Sequence, residues 1–193
     1  ALIRSGDGSE HLVEQQFLRP LLRSAKECPF YELRMEHIGH FLVVIDVPYD
    51  QLKGYKVSDY VRHGETCFYP SRIGGGIPAT RPTCMARGRE WYRLAIDRGM
   101  PITGFFFKLR RNIHVVPLNS INAVGDDALY EIRTSVNDLI PLLNSTLMMF
   151  FLELYGRTPG GGSGPLAVMV EEVKQLPVLT PLQFSAKEIE VLI

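Results

Sequence analysis

The sequence is short of cysteine, of long apolar runs and of net charge, and each shortage excludes something. Its three cysteines, Cys28, Cys67 and Cys84, are odd in number and widely spaced, and no two form a Cys-x-x-Cys pair. A disulfide scaffold is therefore not expected, and a reducing, cytoplasmic setting is. No window approaches the ~18 uninterrupted apolar residues of a membrane-spanning helix, so no membrane partner is expected. No charged–apolar–small leader opens the chain, and its apolar closing segment suits a fragment of a longer polypeptide. Neither Gly-x-Ser-x-Gly nor a Pro-Asp…Glu-x-Lys signature occurs, so hydrolase and nuclease chemistry have no visible motif. Gly74, Gly75 and Gly76 precede no Gly-Lys-Ser/Thr, so they read as a surface loop whose basic ends, Arg72 and Arg81, suit a DNA backbone.

What is present is enough for one domain with a real core: 193 residues, 46% of them hydrophobic. Lysine plus arginine equals aspartate plus glutamate at 21 each, a balance that argues against nucleic acid until its distribution is followed. Residues 1–80 carry nine basic and ten acidic groups, residues 81–114 eight and two, and residues 115–193 four and nine. The middle segment is thus net +6, and seven of its eight cations are arginine (Arg81, Arg87, Arg89, Arg93, Arg98, Arg110 and Arg111). An arginine fork matches phosphates and guanine edges bidentately. It equally matches the acidic groups of the flanking segments, and that simpler alternative stays open.

Periodicity predicts an α+β fold: a strand-rich, twisted central sheet over about residues 41–135, with helices at both ends. Leu12 to Arg23 reads as a short helix ended by Pro20. Phe41 to Ile45 reads as a strand. Lys56 to His63 reads as a helix stopped by Gly64. Trp91, the only tryptophan, reads as a core residue on a strand, its neighbouring arginines on the opposite face. Ile102–Lys108 and Ile113–Leu118 read as two strands joined at Arg110-Arg111-Asn112, a basic ribbon tip of the kind that enters a major groove. Asn119 to Asp127 is turn-rich, and Ala128 to Arg133 can add a strand. From Asp138 to Leu154, apolar residues at three- and four-residue spacing predict one helix, with Asp138 as its cap and Gly156 as its C′ residue beside Arg157. A glycine-rich loop follows, then a short strand at Leu166–Val170 and a Leu-Pro-Val ending. Asp126-Asp127 and Glu171-Glu172 read as solvated pairs.

The order of a Leu-Leu-Asn-Ser helix, a glycine-rich loop, a short apolar segment and Leu-Pro-Val resembles the TaqI-like C-terminal specificity domain. That domain is the target-recognition part of adenine-specific DNA methyltransferases in restriction–modification systems, type II restriction enzymes among them. The resemblance runs from about Phe17 to Pro181. It takes in the Leu-x-Pro-Leu-Leu-Arg phrase at Leu18–Arg23 and a basic stretch before Trp91-Tyr92. It implies a single target-recognition domain over 1–193 that binds double-stranded DNA. The S-adenosylmethionine-dependent catalytic domain would lie elsewhere in the same polypeptide. It implies DNA contacts at Asn144, Ser145 and Arg157, and at Gly160, Gly161, Gly162 and Gly164 near the extruded base. To these the charge pattern adds Arg87 and Arg89 as backbone contacts, and at the tip Arg110 or Arg111 as base reader, with Asn112 beside them as a further DNA contact.

Asp46-Val47-Pro48-Tyr49 is a near miss to the Asp-Pro-Pro-Tyr motif of adenine methyltransferases, with valine in place of a motif proline and no methyl-donor loop before it. It reads as a turn after a strand. Catalytic residues are accordingly none, and the isolated chain should transfer no methyl group. Two alternatives remain: a protein-interaction domain using the Asp138 helix, and a metal-dependent enzyme drawing on His37, His40, His63, Cys28, Cys67 and Cys84.

Overall fold

Phe105, Phe106 and Phe107 are apolar without alternation, which suits a strand covered on both faces, and the fold grows outward from that strand. The structure, a computed structural model, describes residues 1–69, 75–94, 96, 99–110, 114–136, 138–159 and 164–178. Among these, the strands are Leu2–Arg4 (β1), Glu10–Leu12 (β2), Leu18–Leu22 (β3), Glu32–Leu33 (β4), His40–Val43 (β5), Gly104–Phe107 (β6), Leu109–Arg110 (β7), Leu118–Asn119 (β8), Val124–Gly125 (β9), Leu129–Ile132 (β10) and Leu166–Ala167 (β11). The α-helices are Val57–Thr66 (α1), Pro82–Met85 (α2), Leu139–Leu143 (α3), Thr146–Tyr155 (α4) and Val170–Gln175 (α5). The α+β class holds. No described helix is long and apolar enough to cross a membrane. The chain divides into two compact units, Ala1–Arg19 with Leu42–Arg98, and Pro20–Phe41 with Gly99–Ile193.

In the second unit a four-stranded sheet runs in the order β10-β6-β8-β4. β6 pairs antiparallel with β10 from Phe107↔Leu129 to Gly104↔Ile132, and with β8 at Gly104↔Leu118. β8 pairs parallel with β4. The two segments read as a hairpin pair antiparallel only at their open ends, Gly104 with Leu118 and Phe105 N–H donating to Pro117 O at 3.2 Å, while β6 takes its long partner β10 from further along the chain and β7 pairs with β11. Burial explains the preference, because β6 lies covered along its whole length and β10 completes one side. Phe106, Val116, Ile140, Leu143, Met148, Leu152, Leu166, Val168 and Leu176 form the core behind it. Each such side chain contributes about 1.5–3 kcal/mol by leaving water.

The predicted Asp138 helix is two helices. Asn144 and Ser145 break it, with Asn144 N–H donating to Pro141 O (3.0 Å) and Ser145 N–H to Leu142 O (3.1 Å) in a tightened last turn. Asp138 makes no side-chain cap bond; Ser145 caps α4 instead, its Oγ accepting from Met148 N–H at 3.3 Å. Gly156 ends α4 with extended rather than left-handed backbone, and a Cβ there would stand 2.6 Å from Leu152 O and 2.7 Å from Leu166 Cγ. It is glycine for close approach to β11. Glu172, read as solvated, is buried, and its carboxylate accepts the Met169 N–H at 2.9 Å to cap α5.

The first unit opens with the β1–β2 hairpin, Leu2↔Leu12 to Arg4↔Glu10. The predicted Leu12–Arg23 helix is not there. Its residues form the end of β2, a 3-10 turn at Gln15–Phe17 and β3, in which Pro20 needs no helical N–H partner. Val13 and Phe17 still reach the core, beside Ile45, Leu52, Val57, Val61 and Tyr92. α1 runs on to Thr66, through Gly64. A Cβ on Gly64 would lie 2.5 Å from Cη2 of Trp91, so this glycine is the seat of an indole, not a stop. Glu14 holds the other end of α1, accepting Lys56 N–H at 2.6 Å and Val57 N–H at 3.2 Å.

Candidate nucleic-acid interface

The site residues expected from sequence fall in both units. Arg87 and Arg89 lie in the first. They flank the start of a 3-10 turn at Gly88–Glu90, with Trp91 in the turn that follows rather than on a strand. Arg87 Nη1 donates to Trp91 O at 3.1 Å. Arg89 pairs with Asp50 at 3.1 Å, and its guanidinium lies 4.4 Å from the centre of the Tyr49 ring. Trp91 Nε1 donates to Glu65 at 3.2 Å, and Tyr92 OH to Val47 O at 2.9 Å. Both the basic phrase and the Asp-Val-Pro-Tyr turn thus tie the unit together.

Arg110, Asn144, Ser145, Arg157 and Gly164 lie in the second unit. Arg110 is in β7, whose partner β11 sits opposite it in the register Arg110↔Leu166, Leu109↔Ala167. Only 8% exposed, it pairs with Glu153 of α4 at 3.0 Å. Burial pulls its guanidinium below the ordinary arginine value, and Glu153 opposes the shift. Arg157 joins the same small sheet through a two-way backbone bridge with Ala167, at 2.8 and 2.7 Å. Its exposed side chain pairs with the buried Glu172. Gly164 lies two residues before β11. Arg110, Arg157 and Gly164 are therefore brought together, while Arg111, Asn112, Gly160, Gly161 and Gly162 lie outside the described residues.

Asn144 and Ser145 are inside the fold, not on its surface. Asn144 accepts Val116 N–H at 2.8 Å and donates to Val116 O and Ile140 O, both at 2.9 Å. Ser145 is fully buried. Their side chains splice α3, α4 and the segment before β8, and no polar atom is left over for a ligand. Beside them His114 donates to Leu143 O at 2.6 Å, and burial holds its imidazole below the ordinary histidine value.

Acids outside residues 81–114 pair with three of that segment's cations: Asp127 with Lys108 at 3.2 Å, besides the partners of Arg89 and Arg110. Arg93 binds Glu90 within the segment at 2.6 Å. The histidines and cysteines proposed as ligands do not assemble. Cys28 comes only within 3.9 Å of His37, whose Nδ1 already accepts Arg34 N–H. His40 faces Arg23 and Glu27. Among the described residues no three His, Cys, Asp or Glu side chains form a group able to hold a metal.

One polar cluster escaped the sequence. Ser9 Oγ lies 2.6 Å from Asp7, 2.8 Å from His11 Nε2 and 3.2 Å from His63 Nε2, and His63 Nε2 is 2.7 Å from the other Asp7 oxygen. Ser9 hydrogen bonds, with His63 adding to them, hold the Asp7 carboxyl far below the ordinary range. Desolvation, with the charge of His63, lowers His11. Asp7 and Ser9 meet across the β1–β2 turn, where Gly8 takes a positive φ, so no strand-like alternation announced them. His63, 52 positions beyond His11, was no more legible. No protein-family model matches this chain, and no curated protein matches it.

Proposed function

We propose that this chain is a target-recognition module for double-stranded DNA, serving an adenine-specific methyltransferase whose catalytic domain lies elsewhere in the same polypeptide. One observation carries the reading. The β7–β11 register sets Arg110 opposite Leu166, so the chain entering Arg111-Asn112 and the chain leaving the glycine-rich stretch meet at one edge. Arg157 flanks that edge through Ala167. That edge supports the reading for Arg110, Arg157 and the glycine-rich stretch, while Arg87 and Arg89 lie in the first unit and Asn144 and Ser145 inside the fold. Because Arg89, Arg93 and Arg110 are paired internally, binding depends on few contacts. A shallow salt dependence follows, with a slope near −0.9 per phosphate contacted.

Fluorescence anisotropy with a labelled duplex, from 25 to 200 mM salt, tests the reading. Binding that weakens with salt, and weakens further in Arg157→Ala, supports it. Absence of binding at the lowest salt overturns it. A second reading, an interaction domain, has one observation in its favour: α4 exposes Leu147, Phe150 and Leu154 on successive turns, at 39%, 56% and 62%. Self-association of the isolated chain, relieved by Phe150→Gln, would shift the reading that way.

A further inference from the structure

We infer that Arg110 is a phosphoryl-anion site and that Glu153 keeps it shut by standing in for the anion. The inference rests on the DNA-binding reading only for the source of the phosphoryl group.

The two partners are unequal. Arg110 is 8% exposed, fixed by the pairing of β7 with β11, whereas the Glu153 side chain is 70% exposed on the last turns of α4. Arginine offers Nε and an Nη as a matched pair of donors to a carboxylate or phosphate. Here Glu153 receives a bond from Nη2 alone, at 3.0 Å, and Nε is buried without an acceptor. A buried charged donor left unsatisfied is costly, while an exposed carboxylate returns to water at little loss. A tetrahedral oxyanion has the oxygens to engage Nη2 and Nε together. Nearby His114, held neutral by burial, does not compete for it as a second cation. The neighbouring pair is arranged the opposite way, with Arg157 exposed and Glu172 buried. Opening Glu153 therefore frees Nη2 beside an Nε that has no acceptor among the described residues.

The test uses the full chain as wild type, Glu153→Gln, Arg110→Lys with Glu153→Gln, and Glu171→Gln, an exposed carboxylate on α5. Two probes are read: inorganic phosphate, through the Arg Nε–Hε NMR signals, and a labelled duplex. In Glu153→Gln, the Nε–Hε signal that Arg110→Lys removes should shift saturably with phosphate at about millimolar concentration, the range of a single anchored contact. Wild type should need roughly tenfold more phosphate, as one competing charged contact implies. Duplex affinity should rise about tenfold in Glu153→Gln and fall back in the double variant. A phosphate response without any duplex gain keeps the anion site and removes DNA as its source. An unmoved Arg110 signal in Glu153→Gln overturns the inference. So does an equal gain in Glu171→Gln, which would reduce the effect to bulk charge.

Discussion

At the scale of single residues, polar side chains in this protein do more to hold the fold than to meet a ligand. Asn144 satisfies three backbone groups, and its replacement leaves Val116 N–H and two carbonyls buried without partners. At about 1–3 kcal/mol for each orphaned group, less what water recovers, Asn144→Ala should cost about 3 kcal/mol in urea unfolding. Asn144→Asp should cost no less, since it loses both donors and buries a charge. A loss under 1 kcal/mol would mean the splice is not what joins α3 to α4. Nothing in the sequence distinguishes such an asparagine from one that reads DNA. Both follow a helix and precede a glycine-rich stretch, and only the position of Val116 separates the roles. Arg110 is legible as a key residue and illegible as a buried one, for the same reason: its partners Glu153 and Leu166 lie more than 40 positions away.

Elements were easier to foresee than their pairing. The apolar run ending in β6, the strand near Phe41, the helix from about Val57 and the apolar stripe of α3 and α4 all follow from local periodicity. The partners of β6 and β7 do not, because in β6 burial along the whole strand erases the alternation that would set register, and β7 meets its partner, β11, 56 positions further on. Gly64 shows the limit from the other side: a glycine near a helix end suggests a stop, and only an indole from 27 residues on shows otherwise. Gly64→Ala gains about 1 kcal/mol of helix propensity but places a methyl 2.5 Å from Trp91 Cη2. Overpacking of this kind costs about 1–3 kcal/mol, so net destabilisation and an altered Trp91 emission spectrum are expected. Stabilisation with unchanged emission would show that the indole moves freely aside. At the start of the same helix, Glu14→Ala should cost about 1 kcal/mol, the usual value of a helix cap. Glu14→Gln should recover part of it, as read by thermal unfolding.

At the scale of the whole molecule, zero net charge leaves acid stability to a few groups. His11 and His114 are held below the ordinary histidine value, so the unfolded chain takes protons near pH 6.5 that the folded chain refuses. Their contribution is intact above about pH 6.5 and is lost as pH falls toward the folded values. Asp7, held low, stabilises above the ordinary carboxylate value of about 4 and loses that contribution below it. Melting temperature should therefore decline from pH 7 to 5 and more steeply below 4, and His11→Gln should flatten the first decline in Trp91 fluorescence. A flat curve from pH 8 to 5 would contradict this. The two units also have an order in time. The chain passes between them within β3, within β5 and after Arg98. On a ribosome, the first unit is complete once Arg98 emerges. Leu22 and Leu33, both fully buried in the finished fold, must wait for β9 and β8 to be made. At about 5–20 residues per second, that wait is on the order of ten seconds, with both side chains in water throughout. The direction of translation, not the energy of the final state, makes residues 20–41 the segment a nascent-chain chaperone would meet.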